Sequence, residues 1–163
     1  QEFYEETPYA FIRAKIGRSN SAIMILVNEE DGVLNWISAD GVRISTYHGK
    51  VISITGIDQG YRLVTYKKPD NTKTHIVDLF GPDLYNLGIS VSREYLTIDE
   101  SIELNQKIKI VGLVEETFNA EYIGWRGKNF FYHDIDGNIR KTIQEIHPNL
   151  SPITIEFVKL YRQ

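Results

Sequence analysis

Between residues 33 and 55 three short runs of β-forming residues, 33–38, 42–47 and 50–55, follow one another with almost nothing between them. The first two are joined by Ala39-Asp40-Gly41 and the last two by His48-Gly49. Each joint offers a glycine where a hairpin turn needs positive φ. In the middle run Val42, Ile44 and Thr46 fall on one face and Arg43, Ser45 and Tyr47 on the other, the period of a half-buried strand. The stretch therefore predicts a three-stranded antiparallel meander with one wet side.

The same punctuation runs along the whole chain. Thr7-Pro8 ahead of 9–16 would suit a capped helix. However, Ala10, Ile12, Ala14 and Ile16 alternate with Phe11, Arg13 and Lys15, and this period of two favours a strand. Residues 17–21 read as a turn, 22–28 as a continuous apolar strand central to its sheet, and 29–32 as the return into the Trp36 strand. Further on, 61–67 and 72–79 read as a hairpin around Pro69-Asp70-Asn71, and 80–88 reads as irregular. Strands are expected at 89–98 and 102–114, joined by a loop at Asp99-Glu100-Ser101, with a bulge at Gly112. Runs at 118–125, 129–135, 138–146 and 153–161 complete the chain, separated by Arg126-Gly127-Lys128, Asp136-Gly137 and the rigid 148–152 segment. Residues 40–46 and 136–142 echo each other as two similar hairpins, too few for a solenoid. The prediction is an all-β fold, an antiparallel sandwich or barrel-like meander of many short strands with little helix. With 163 residues, 42% of them hydrophobic, one domain over 1–163 is expected.

Charge and motif content narrow the function. The net charge is −4 with both signs interspersed and no basic block, which argues against nucleic acid as a partner. There is no cysteine, so neither disulfides nor thiolate chemistry enter. His48, His75, His133 and His147 lack a short two-histidine spacing, so no metal is expected; His48 in its turn and His147 before Pro148 read as exposed. The alternating oxygens of 134–138 read as an Asp-Gly turn rather than a calcium loop. Serine-hydrolase, phosphate-loop and dinucleotide motifs are missing, so no catalytic residue and no cofactor is expected. Asp40, Asp134 and Asp136 are the carboxylates that chemistry on a glycosidic bond would use. Ten tyrosines, seven phenylalanines and two tryptophans supply rings able to stack on sugars, with Trp36 expected in the core and Trp125 either in the core or at the surface. The chain starts at Gln1 and its one methionine is Met24, as expected of a processed or trimmed chain. The apolar run 22–27 is too short to span a bilayer, so any membrane attachment is expected from outside these residues.

Two blocks carry a resemblance. Trp36-Ile37-Ser38-Ala39-Asp40-Gly41, followed by Thr46, Gly49-Lys50 and Thr55-Gly56-Ile57, resembles the pattern Trp-x-Ser-x-Asp-Gly, Thr, Gly-Arg, Thr-x-Gly-Leu of the YjbF-like lipoproteins of group 4 capsule and exopolysaccharide export. The run from Phe131 through Asp134, Gly137, Arg140, Gln144, Pro148 and Pro152 to Ile153 is similar to that family's closing block. Lys50, Ile57 and Thr142 depart from its usual Arg, Leu and Ser. The resemblance implies a non-catalytic accessory lipoprotein of the periplasm, held at the outer membrane by a lipid on a preceding segment. Its partners would be polysaccharide or other export proteins. Trp36, Asp40, Gly41, Gly49, Thr55, Gly56, Gln144, Pro148 and Pro152 would then be structural. Trp125 and Tyr132 would stack on sugar while Arg126 and Arg140 pair with acidic groups. Two rivals stand beside this: a carboxylate-based polysaccharide glycosidase or lyase, and an envelope scaffold whose sheet edges receive a partner strand.

Overall fold

In the computed structural model, which describes residues 8–65, 69 and 73–161, twelve strands form one closed antiparallel ring. They are β1 (Phe11–Ile16), β2 (Ala22–Glu30), β3 (Val33–Ser38), β4 (Arg43–Tyr47), β5 (Lys50–Thr55), β6 (Arg62–Thr65), β7 (Thr74–Phe80), β8 (Leu84–Glu103), β9 (Lys107–Ala120), β10 (Trp125–Asp134), β11 (Ile139–Gln144) and β12 (Ile153–Lys159). Each pairs with its successor, and β12 returns to β1 with Ala14 opposite Ile155. An ion pair from Arg13 Nε to Glu156 Oε2, 2.6 Å, spans the closure on the outer wall. The expected meander is present as β3, β4 and β5, and the segment at 9–16 is a strand rather than a helix.

Alternation places one row of each strand inside. Ile12, Met24, Trp36, Ile44, Ile54, Leu79, Ile153 and Ile155 are sealed from solvent. Each such aliphatic or aromatic side chain contributes roughly 1.5–3 kcal/mol by leaving water. Trp36 lies edge-on to Phe157, ring centroids 6.1 Å apart, and its Nε1 donates to Thr46 Oγ1 at 3.0 Å, so the indole is both packed and satisfied. The outer wall carries ion pairs such as Arg13–Glu156 and Lys128–Glu115. An apolar inside and a polar outside is the reverse of a membrane-spanning barrel. Among the described residues no helix is long and apolar enough to cross a membrane.

Several expected boundaries moved. The run at 22–28 is a strand but not a two-sided buried one, because a ring gives every strand an outer face: Met24 is buried while Ile23, Ile25 and Val27 are exposed. The loop expected at 99–101 lies inside β8, and the chain turns at 104–106, with Glu103 opposite Lys107. Asp99, Glu100 and Ser101 are all exposed in that strand, so they are as polar as a loop's residues. Gly112 does sit beside register shifts in the pairings of β9 with β8 and with β10. Arg126-Gly127-Lys128 is not a turn but the start of β10; a Cβ on Gly127 would lie 2.4 Å from Glu145 Oε1, so this glycine makes room for a neighbour. The real turn is the 3-10 segment Glu121–Ile123 closed by Gly124 at φ +66. Residues 84–88, expected to be irregular, belong to β8 beside a bulge at which Asn86 N–H donates to Asp78 Oδ1, 2.8 Å. Asp70 and Asn71 of the expected hairpin turn lie outside the described residues.

Two glycines of the first motif block hold close approaches. Gly56 has φ +83, and a Cβ there would come within 2.8 Å of the Gly41 carbonyl oxygen and 3.2 Å of Val42 Cα, both backbone. Gly49 has φ +75, and its Cβ would meet Ile139 Cδ1 at 2.7 Å, a side chain able to yield. Gly41, at φ +88, faces open space. Gly56→Ala is therefore expected to cost the most, about 1–3 kcal/mol from strain alone plus a backbone shift. Gly41→Ala should cost about 1 kcal/mol. Thermal melts of the three alanine variants test the order; Gly41→Ala as damaging as Gly56→Ala would contradict it.

Candidate functional site at one mouth of the barrel

In an up-and-down ring, alternate turns collect at opposite ends. The connections at 17–21, 39–42, 56–61, 81–83, 121–124 and 145–152 surround one mouth, here the upper. Those at 31–32, 48–49, 104–106 and 135–138 lie at the other, the lower. The inward rows are apolar through the middle and turn polar below, where β5, β7, β8, β9 and β10 converge on Glu116.

Glu116 is fully buried. Lys50 Nζ donates to its Oε1 at 2.6 Å and Asn129 Nδ2 donates to the same oxygen at 3.0 Å. Arg93 Nε and Nη2 both lie 2.9 Å from Oε2. Lys50 Nζ also stands 3.1 Å from His75 Nδ1. Burial works against the charged carboxylate, but Lys50, Asn129 and Arg93 together outweigh it and hold Glu116 below the ordinary carboxylate value. Burial likewise lowers the Lys50 ammonium, more than Glu116 raises it. The 2.6 Å contact and the supporting amide and guanidinium are those of an ion pair, and the ionised Glu116 is the direction that this geometry supports.

Across the barrel, Gln144 repairs a defect in the ladder. The β4–β5 pairing is bulged, with Ser45 opposite Ser53 but Thr46 opposite Val51. Gln144 Oε1 accepts from the Val51 N–H at 3.0 Å, and its Nε2 donates to the Gly49 carbonyl and to Thr142 Oγ1, each at 2.9 Å. The β5 backbone is thus pinned to β11 through the interior. Asn129 Oδ1 in turn accepts from the Glu145 N–H at 2.8 Å, tying the Glu116 cluster to the end of the same segment.

Below this cluster a cavity of about 310 Å³ opens to solvent, lined by Tyr47, His48, Arg93, Phe131, His133 and Ile139 with Lys50 and Glu116 as its floor. The Tyr47 and His48 rings meet edge-on, centroids 4.4 Å apart. At the upper mouth a cavity of about 500 Å³ has largely aliphatic walls, Met24, Ile44, Ile54 and Ile153, with Asp40 and Asp58 among its lining.

The four residues expected to bind ligand do not form one site. Trp125 is buried against Phe118, centroids 4.9 Å apart, so its ring is not offered to solvent. Arg140 is buried too, on the same alternate row of β11 as Thr142 and Gln144: Nη2 donates to the Val158 carbonyl at 3.4 Å and Nη1 is 3.9 Å from Asp134. Arg126 is exposed and Tyr132 half-buried on the outer row of β10, where burial and then Glu100 raise the Tyr132 phenol. His147, expected to be exposed, is buried beside Tyr61, and its Nδ1 accepts from the Asn149 N–H at 3.0 Å. His48 is exposed as expected.

The candidate carboxylates Asp40 and Asp134 are turn anchors. Asp134 Oδ1 accepts the N–H groups of Asp136 and Asn138 at 3.1 and 2.9 Å. Asp40 accepts from Ser38 Oγ, which lowers its pKa. Asp40 stands at the upper mouth and Asp134 at the lower, so these two cannot flank one bond. Pro152 closes the upper end, its carbonyl accepting from the Gly17 N–H at 3.0 Å. Among the described residues no group of three or more His, Asp or Glu side chains is placed to hold a metal ion. Sequence reading missed Glu116, Arg93 and Asn129. The signal for Glu116 was the period of two from Phe118 and Ala120, which carries an acidic residue onto the inward row.

Both blocks of the resemblance meet here: His48, Gly49 and Lys50 from the first, and Phe131, His133, Ile139 and Gln144 from the second. The structure is similar to the crystal structure of the hypothetical lipoprotein YmcC from Escherichia coli (K12), with a TM-score of 0.78 at 14% identity over 99% of this chain and 89% of that one. At that identity the likeness establishes the fold. No curated protein sequence matches the chain. The model of the family described as "Group 4 capsule polysaccharide lipoprotein gfcB, YjbF" matches residues 2–158, and the chain belongs to that family.

Proposed function

We propose that this protein is a non-catalytic accessory factor in capsule or exopolysaccharide assembly and secretion, working in the periplasm from a lipid anchor in the outer membrane. It acts by holding polysaccharide or a component of the export machinery rather than by turning anything over. The observation that carries this reading is the meeting of both family-resembling blocks at the lower mouth, where they build a lined cavity. The ionisable groups beneath that cavity support binding over chemistry. Glu116 is tied to two cations and an amide at once, an arrangement that fixes its charge instead of leaving it poised to exchange a proton.

Deleting the gene is expected to reduce surface polysaccharide, and complementation with Asp40→Asn or Asp136→Asn should restore it. Shortening of purified polymer by the protein, or loss of export in either variant despite a normal melt, would favour the glycosidase or lyase reading instead.

A further inference from the structure

The lower cavity has a chemistry of its own. Among the described residues that line it, Lys50 and Arg93 carry two positive charges against the single carboxylate of Glu116, with His48 and His133 at the wall. Counted over those described residues, the cluster is therefore one negative charge short of balance. Lys50 Nζ and Arg93 keep hydrogen-bonding capacity beyond Glu116, since an ammonium has three donors and a guanidinium five. Arg93 is the more accessible of the two, with 35% of its side chain exposed against 18% for Lys50, so it stands on the solvent side of the buried carboxylate. Flat apolar surface lies beside these donors: Phe131 contributes to the wall and the Tyr47–His48 pair to the rim. A volume of about 310 Å³ falls at the low end of small-molecule sites, which run from about 300 to 1,000 Å³. That suits one sugar ring rather than a stretch of polymer.

We propose that the lower mouth binds a single carboxylate-bearing sugar unit, with its carboxylate on Arg93 and Lys50 and its ring against Phe131 and the Tyr47–His48 pair. The ligand class rests on the polysaccharide reading above, whereas the site rests on the charge surplus and the cavity. Glucuronate, a uronic acid anion, offers both a carboxylate and a sugar ring, while acetate offers only the charge and glucose only the ring. Recognition of both parts requires glucuronate to bind more tightly than either.

The test is NMR titration of the isotope-labelled protein with glucuronate, acetate and glucose in turn. Glucuronate is expected to produce saturable shifts at His48, Arg93, Phe131 and His133, with a Kd on the order of 1 mM. Acetate and glucose should each bind at least about tenfold more weakly. Arg93→Gln should weaken glucuronate about tenfold or more, and Arg93→Lys, which keeps the charge but loses the fork, should fall between. Arg18→Gln, which removes a charge at the far mouth, should change nothing. Acetate binding as well as glucuronate, glucose giving the same shifts, the absence of saturable shifts, or full affinity in a folded Arg93 variant would each overturn the proposal. If glucuronate fails to bind but gene deletion still lowers surface polysaccharide, the site assignment falls and the accessory role stands. Glucuronate binding with surface polysaccharide unchanged by deletion would instead leave the site in place and remove the accessory role.

Discussion

Replacing Glu116 by alanine is expected to destabilise the protein by about 3–5 kcal/mol, because it leaves the buried Lys50 ammonium without its counter-charge. For a chain of this length each kcal/mol moves the melting temperature by about 2–4 °C, so a drop of roughly 10 °C should be visible by calorimetry. Arg93 and Asn129 would lose a partner as well, so the effect should exceed that of breaking the exposed Lys109–Asp99 pair, for which about 0–1 kcal/mol is ordinary. The pH dependence follows from the direction of the shift. Glu116 has a folded pKa below its unfolded one, so its stabilisation is fully present above the ordinary carboxylate range and is lost as pH falls through the folded value. The stability gap between wild type and Glu116→Gln should therefore be widest near neutrality and narrow in acid. A gap that is constant across that range would remove the ion pair from the account.

Gln144→Ala should cost about 2–6 kcal/mol, since it strands the Val51 N–H and the Gly49 carbonyl at about 1–3 kcal/mol for each unsatisfied buried group. Gln144→Glu gives the sharper comparison. It keeps an acceptor for the Val51 N–H but has no donor for Gly49, and it adds a charge that must be desolvated. It should be no better than alanine. Amide hydrogen exchange would locate the damage: the Val51 N–H should lose protection before the β1–β12 closure does. Uniform loss of protection, or a melt unchanged in both variants, would mean that the cross-barrel bridge is incidental.

Much of the barrel could be read from residue order because its walls obey a period of two and its hairpins are punctuated by glycine. The meander of β3 to β5 is the clearest instance. Val42, Ile44 and Thr46 point inward, and Gly41 and Gly49 have the positive φ that their turns required. Reading failed where one residue type served two purposes. Gly127 looked like a turn but clears space for Glu145, and the polar run at 99–101 looked like a loop because all three of its residues are exposed within the strand. The candidate site was harder, since it is assembled from five strands that are far apart in sequence. Lys50 and Glu116 are 66 residues apart, and no spacing rule links them. Buried Arg140 was misplaced, and Trp125 was left open between core and surface, for a different reason. Their residue types suit a sugar-binding surface, and the buried rows of β10 and β11 on which they lie also carry the polar Asn129, Thr142 and Gln144, so no apolar alternation marked those rows as inward.

The β1–β12 seam sets a condition on how the molecule is made. Arg13 and Glu156, the pair that bridges it, are separated by 143 positions, so the ring cannot close until almost the whole described chain is available. Until then β1 and β11 each present a row of unpaired backbone groups, the kind of edge that recruits other chains. Every other ladder joins neighbours in sequence and can zip locally, which leaves one long-range step dependent on loop closure, and such steps are slow. A polypeptide threaded through a membrane from its N-terminus would spend that interval with both edges open. The period of greatest exposure to misassembly then ends with the arrival of the last strand, rather than with the formation of the core.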